Sequence, residues 1–137
     1  MPAARARQVA ALPWRRRNGS IEILLVTSRE TRRWVIPKGW PIVNLLAPNA
    51  AKREAYEEAG VDGRVRRKPV GRYTYSKRAA DGSRRTCVVT VYALGVARQH
   101  RDWPERRERT RSWFKAQDAA LKVEEAGLRA IIRAFAG

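Results

Sequence analysis

Three glutamates carry the chemistry that is easiest to read in this chain. Glu54, Glu57 and Glu58 stand at i, i+3 and i+4, positions that share one face of a helix. Like charges so placed repel one another, and a divalent cation with oxygen ligands turns that repulsion into a site. Pro37-Lys38-Gly39 opens the segment and Gly60-Val61 closes it. Elsewhere the chain is strongly positive, with 30 Lys and Arg against 13 acids and a formal net charge of +17. That balance implies a polyanionic partner: nucleic acid, anionic lipid or a phosphate-dense small molecule. Arginine dominates over lysine, and its planar fork suits bidentate phosphate contacts.

The elements that must position these residues are legible from patterning. Gln8 to Trp14 and Ile21 to Ser28 are apolar stretches joined across Asn18-Gly19, which predicts a hairpin. Trp34-Val35-Ile36 predicts a short strand halted by Pro37. Gly39 to Ala47 reads as a loop, and a helix follows from Pro48, at the first helical position, to Ala59. Gly60 is its structural stop. Val65, Val70 to Tyr75 and Thr86 to Val96 predict strands, with a turn at Asp81-Gly82. Gln99 to Arg111 reads as a charged surface loop and Ser112-Trp113-Phe114 as a strand. Asp118 to Phe135 predicts a closing helix with Leu121, Leu128, Ile131, Ile132 and Phe135 on one stripe, weakened at Gly127. The order predicts an α/β fold, a mixed sheet covered by helices.

A length of 137 residues fits one domain spanning 1–137, with Met1 to Arg7 as a flexible basic N-terminus. A transit peptide would need more than those residues, because Gln8 to Trp14 already reads as a strand. The single Cys87 excludes an internal disulfide and fits a reducing compartment. No apolar run approaches the roughly 20 residues that span a bilayer. The expectation is a cytoplasmic protein with no membrane partner.

From Gly39, thirteen residues lead to Arg53-Glu54-Ala55-Tyr56-Glu57-Glu58-Ala59-Gly60-Val61. This spacing resembles the Nudix box. One fixed position departs: where the box carries its first Glu, this chain has Leu45. The resemblance extends to Arg33-Trp34-Val35-Ile36-Pro37-Lys38-Gly39, Val70-Gly71-Arg72-Tyr73, Asp102-Trp103 and Arg111-Ser112-Trp113-Phe114. These segments are similar to the diphosphoinositol polyphosphate phosphohydrolase group and cover residues 8 to about 125. The resemblance implies a Nudix fold and hydrolysis of a phosphoanhydride with Mg²⁺ or Mn²⁺. Glu54 and Glu58 would be metal ligands, and Glu57 a ligand or the general base. The backbone carbonyl of Lys38 or Gly39 would be a further ligand, and Arg53 would orient a box carboxylate.

Such chemistry suits the residues, because a divalent ion held by carboxylates neutralises charge on phosphate oxygens while water attacks phosphorus. The resemblance also implies phosphate contacts from Ser28, Arg29, Arg78 and Arg109, and Lys38 would add a cation beside the metal. Trp34, Trp103 and Trp113 read as core aromatics, while Trp40 in the box loop could face substrate or cover the cleft. His100 has no assigned catalytic role, and Cys87 reads as a small core residue. The expected substrate is phosphate-rich, a diphosphoinositol polyphosphate or a dinucleoside polyphosphate. The alternative is a nucleic-acid-binding module, non-catalytic or directed at RNA ends. The net charge and Leu45 favour it, and the lack of a recognised nucleic-acid motif opposes it.

Overall fold

The computed structural model describes residues 6–137. Of the expected flexible segment, residues 1–5 lie outside that range, and Ala6 and Arg7 already belong to the first strand. Strand β1 (Ala6–Arg17) turns through Asn18 (φ 50°) and Gly19 (φ 78°) into β2 (Ser20–Thr27). Both turn residues sit in the left-handed region, as a two-residue hairpin loop requires. Two short strands follow, β3 (Trp34–Val35) and β4 (Lys38–Gly39). Helix α1 (Ala47–Ala59) leads to β5 (Val61–Val65), β6 (Gly71–Arg78), β7 (Arg84–Gln99) and β8 (Arg111–Lys115). The chain closes with α2 (Ala116–Lys122) and α3 (Ala126–Ala136).

All eight strands form one mixed sheet, with β3-β2-β1-β7-β5 as its main path. Strand β1 runs parallel to β7 from Ala6↔Cys87 to Trp14↔Gly95 and antiparallel to β2 and β4. Side chains alternate faces along each strand. Ala10, Leu12, Ile23, Leu25, Val89 and Val91 therefore pack beneath α2 and α3. Val9, Ala11, Leu24, Val26, Tyr92 and Leu94 pack beneath α1. Both faces are covered, which is why these strands read as continuous apolar runs. Cys87 is buried, as its alternation with valines predicted.

Three expectations are corrected. Gly39 does not open the loop but ends a two-residue strand, Lys38–Gly39, against β1, too short to show a period. Helix α1 begins at Ala47, one residue before Pro48. The closing helix is two helices, broken at Val123 to Glu125 rather than at Gly127. The break is held from within: Arg129 donates from Nε to the Ala120 carbonyl (2.8 Å) and from Nη2 to that of Val123 (2.8 Å). These are end carbonyls that a finished helix leaves unpaired. Gly127 has another use, since a Cβ there would lie 2.7 Å from Tyr73 Cβ. The break also takes Leu121 off the apolar stripe and leaves it exposed, while Leu128 and Ile132 are buried. Among the described residues no helix is long and apolar enough to cross a membrane.

Leu121→Gln is therefore expected to change stability by no more than about 0.5 kcal/mol. Leu128→Ala should cost about 2–5 kcal/mol. Urea unfolding of both variants checks the pair, and equal costs would contradict the broken-helix geometry.

Candidate active site

Glu54, Glu57 and Glu58 occupy the last turns of α1, and the final turn carries no basic side chain. A helix C-terminus is the negative end of the peptide dipole, so carboxylates are disfavoured there. Two other segments relieve the conflict. Gly60 takes the left-handed conformation (φ 66°) and its N–H closes on Ala55 and Tyr56 carbonyls. From β8, Arg111 donates to the carbonyls of Ala59 (2.9 Å), Gly60 (3.3 Å) and His100 (2.6 Å). Its guanidinium stacks on Trp103 at 3.9 Å, and the Trp103 indole N–H donates to the Glu58 carbonyl at 3.1 Å. A Cβ on Gly60 would meet Arg111 and Trp103 at 2.6 Å, so this cap requires glycine.

Glu58 is buried, and its Oε1 lies 3.6 Å from Arg109 Nη2 and accepts from Lys38 N–H at 3.4 Å. Its carboxyl is pushed up to about 8, first by burial and then by Glu54 and Glu105, against the opposing pull of Arg109 and Lys38. The Glu54 carboxyl is also raised, first by burial and then by Glu57 and Glu105, while its hydrogen bond with Glu58 opposes the rise. Glu54 rests against the Cα of Gly39, where a Cβ would lie 2.4 Å from the carboxylate carbon. Gly39 is the clearance that admits this side chain. Two neighbouring carboxylates of raised proton affinity, at the negative end of a helix, form a donor set that suits a hard divalent cation. Among the described residues no three His, Cys, Asp or Glu side chains converge as a cage. The set suits Mg²⁺, which commonly takes one or two carboxylates and completes its shell from water and phosphate.

The fold brings Glu54, Glu58 and the Lys38-Gly39 main chain together, with Glu57 half-buried on the adjoining turn. Arg53 is exposed and pairs with no carboxylate among the described residues. Arg109, expected to meet substrate, sits where Arg53 was expected to act. It is 10% exposed, pairs with Glu58, and donates to Glu105 (2.7 Å) and the Thr27 carbonyl (3.2 Å). Pairing in the β1–β4 ladder puts Gly39 on the α1 face and Lys38 on the opposite one. The Lys38 ammonium accordingly lies 5.2 Å from the Tyr75 ring rather than among the carboxylates. Burial lowers its pKa, against the pull of Glu58 and Glu125.

The expected phosphate contacts are dispersed. The Ser28 hydroxyl is held in its own turn by Thr31 (2.7 Å) and the Arg33 N–H (3.0 Å). Arg29 is exposed and 3.5 Å from Glu108. Arg78 stands at the exposed end of β6 opposite Arg84. Trp34 and Trp113 are half-buried and pack against the two core clusters, Trp103 is half-buried beneath Arg111, and Trp40 is exposed. Leu45 turns toward the apolar cluster beneath α1.

Sequence reasoning missed two acids. Glu105 lies in the 100–110 loop, donates its N–H to the Glu57 carbonyl (3.0 Å) and accepts from Arg109. Its one signal was the four-residue spacing to Arg109. Glu125, at the break before α3, pairs with Arg33 at 3.2 Å.

The raised carboxyls set a pH dependence. Between the ordinary value of 4.5 and about 8, the folded protein binds more protons at Glu58 than the unfolded chain. This contribution to stability is complete below 4.5 and is lost as pH rises through about 8. The groups facing the pair are Glu57, Glu105, Lys38 and Arg109. In EDTA the thermal midpoint is expected to fall from pH 5 to pH 8 more steeply than in Glu58→Gln. Mg²⁺ should raise it more at pH 8 than at pH 5, because metal binding displaces protons. Parallel profiles for the two proteins would contradict the assignment.

A NUDIX domain profile matches residues 4–135. Human diphosphoinositol polyphosphate phosphohydrolase 3-alpha is 39% identical over 105 residues, 74% of this chain and 59% of that protein. Nudix hydrolase 12, mitochondrial, of Arabidopsis thaliana is 35% identical over 102 residues, 72% of this chain and 50% of its own. The chain thus spans about half the length of such relatives. Among solved structures, a Caenorhabditis elegans Ap4A hydrolase matches with a TM-score of 0.67 at 21% identity over 96% of each chain. The E. coli dihydroneopterin triphosphate pyrophosphohydrolase matches with a TM-score of 0.72 at 17% identity, over 95% of this chain and 94% of its own. With a NUDIX domain matching residues 4–135 and relatives 35% and 39% identical over most of its length, the chain belongs to the Nudix family.

Proposed function

We propose that this protein is a divalent-metal-dependent hydrolase of phosphoanhydride bonds in a phosphate-rich small molecule. The carrying observation is the Glu54–Glu58 pair at the negative end of α1, with Glu54 crowded against Gly39. Without a cation the pair is a cost to the fold. A non-catalytic nucleic-acid module would leave that cost unexplained.

Mg²⁺ or Mn²⁺, when bound, supplies charge neutralisation at phosphate oxygens and a water of lowered pKa. Glu54 and Glu58 would hold it, with the carbonyl of Lys38 or Gly39 beside them. Arg109 fixes Glu58 and, through Glu105, ties the 100–110 loop to the end of α1. Glu57, on the next turn of the same helix, would accept the proton of the attacking water or complete the ligand set. Arg29 is exposed with a loose 3.5 Å partner, which leaves it free to exchange Glu108 for a phosphate. Arg78 would meet only a substrate that extends to the end of β6.

A diphosphoinositol polyphosphate or a dinucleoside polyphosphate is the proposed substrate. The name of the human relative supports the first, and both present several phosphates to a basic protein. The cytosol is the proposed compartment, on the buried free thiol of Cys87.

Phosphate release from a panel of inositol, dinucleoside and nucleoside polyphosphates, with Mg²⁺, tests this reading. Glu54→Gln and Glu58→Gln should each lower kcat by at least about 100-fold, the scale of lost charge stabilisation. Arg29→Ala should raise KM with kcat little changed. Unimpaired turnover in Glu57→Gln would remove its proposed base role. Failure to hydrolyse any member of the panel would overturn the proposal.

A further inference from the structure

The outer end of the β6–β7 ribbon carries four exposed cations in an arrangement that costs stability. In register, Lys77 stands opposite Arg85 and Arg78 opposite Arg84. Like charges directly opposite destabilise a strand pair. None of the four has an ion-pair partner among the described residues. Asp81 is the lone acid of the ribbon, and its carboxylate is committed to Ser83, accepting from the hydroxyl (2.6 Å) and the N–H (2.9 Å). The repulsion is therefore left for something outside the ribbon to offset.

An aromatic lies beside it. Trp40, 47% exposed on the loop between β4 and α1, has the Lys77 ammonium 4.8 Å from its ring centroid. Alternation places Lys77, Arg85 and Tyr75 on one face of the ribbon and Arg78 and Arg84 on the other. One face thus combines two cations with an exposed indole. Single strands take such surfaces, with phosphates along the cations and a base on the aromatic. A duplex keeps its bases stacked inside and has no use for the indole.

We propose that the β6–β7 ribbon and Trp40 form a binding surface for single-stranded nucleic acid. Its ligands are cations and an indole rather than the Glu54–Glu58 carboxylates, and binding there does not depend on hydrolysis.

The probe is a fluorescent oligouridylate of about 12 nucleotides, within the range of single-strand sites. Binding is titrated in EDTA, so that turnover plays no part. Arg85→Glu should weaken binding at least tenfold while holding or raising the thermal midpoint, because it faces Lys77. Arg133→Glu on α3 makes the same charge change elsewhere and should stay within twofold of wild type. Arg84→Ala with Arg85→Ala should lower the slope of log affinity against log salt by about 0.7 for each phosphate no longer neutralised. Trp40→Ala should weaken binding at least fivefold and Trp40→Tyr should largely retain it. Equal losses in Arg85→Glu and Arg133→Glu would overturn the proposal, as would wild-type binding by Trp40→Ala or equal affinity for a duplex. Glu58→Gln should bind as wild type, which separates this test from that of the hydrolase reading.

Discussion

The end of α1 is where the structure is most constrained. A helix that finishes in carboxylates, with no cation in its last turn, must be neutralised from outside or fray. Arg111 and Arg109, two residues apart, divide the task. Arg111 caps the carbonyls and Arg109 holds the Glu58 side chain. Trp103 supplies the flat surface on which Arg111 lies. The position of the carboxylate ligands follows from this clasp, because Glu54 and Glu58 are aimed by the helix end that it fixes. A guanidinium suits both tasks better than an ammonium, since its forked N–H groups reach several oxygens at once.

The sheet sets the second constraint. Lys38 and Gly39 are adjacent in sequence and opposite in function because a strand alternates faces. Gly39 clears space for Glu54 on the α1 side. Lys38 reaches Tyr75 on the other side, near Glu125 and Arg33. Its backbone N–H nevertheless touches Glu58. A single dipeptide thus links the carboxylate pair to the opposite face of the molecule.

Local signals in the sequence were strong where one residue type fixes one geometry. Asn18-Gly19 specified the hairpin and Gly60 the helix stop, because each takes a positive φ that few residues tolerate. The glutamate spacing defined one face of α1. It could not say which arginine would meet that face, so Arg53 was expected where Arg109 is found. That pairing joins residues far apart in the chain, and no local periodicity records it. The helix break was hidden for the same reason: Arg129 caps carbonyls across the gap, whereas propensity pointed to Gly127. Lys38-Gly39 became a strand only because β1 offered it a partner. Leu45 was legible as a departure, but not as a residue packed beneath α1.

The parallel pairing of β1 with β7 carries a consequence for the order of assembly. The first strand finds its long partner only when residues 87–95 are available, so the sheet closes a loop of most of the chain. Loop closure of that kind is slow compared with hairpins and helices. Trp103, Arg109 and Arg111 follow β7 in the chain, so the clasp on α1 is among the last pieces to arrive. The carboxylate pair is therefore finished late, by residues synthesised well after the helix that bears it. A cation here would lock a fold already reached rather than template its formation, unlike the small metal-nucleated domains whose chains are unfolded without their ion.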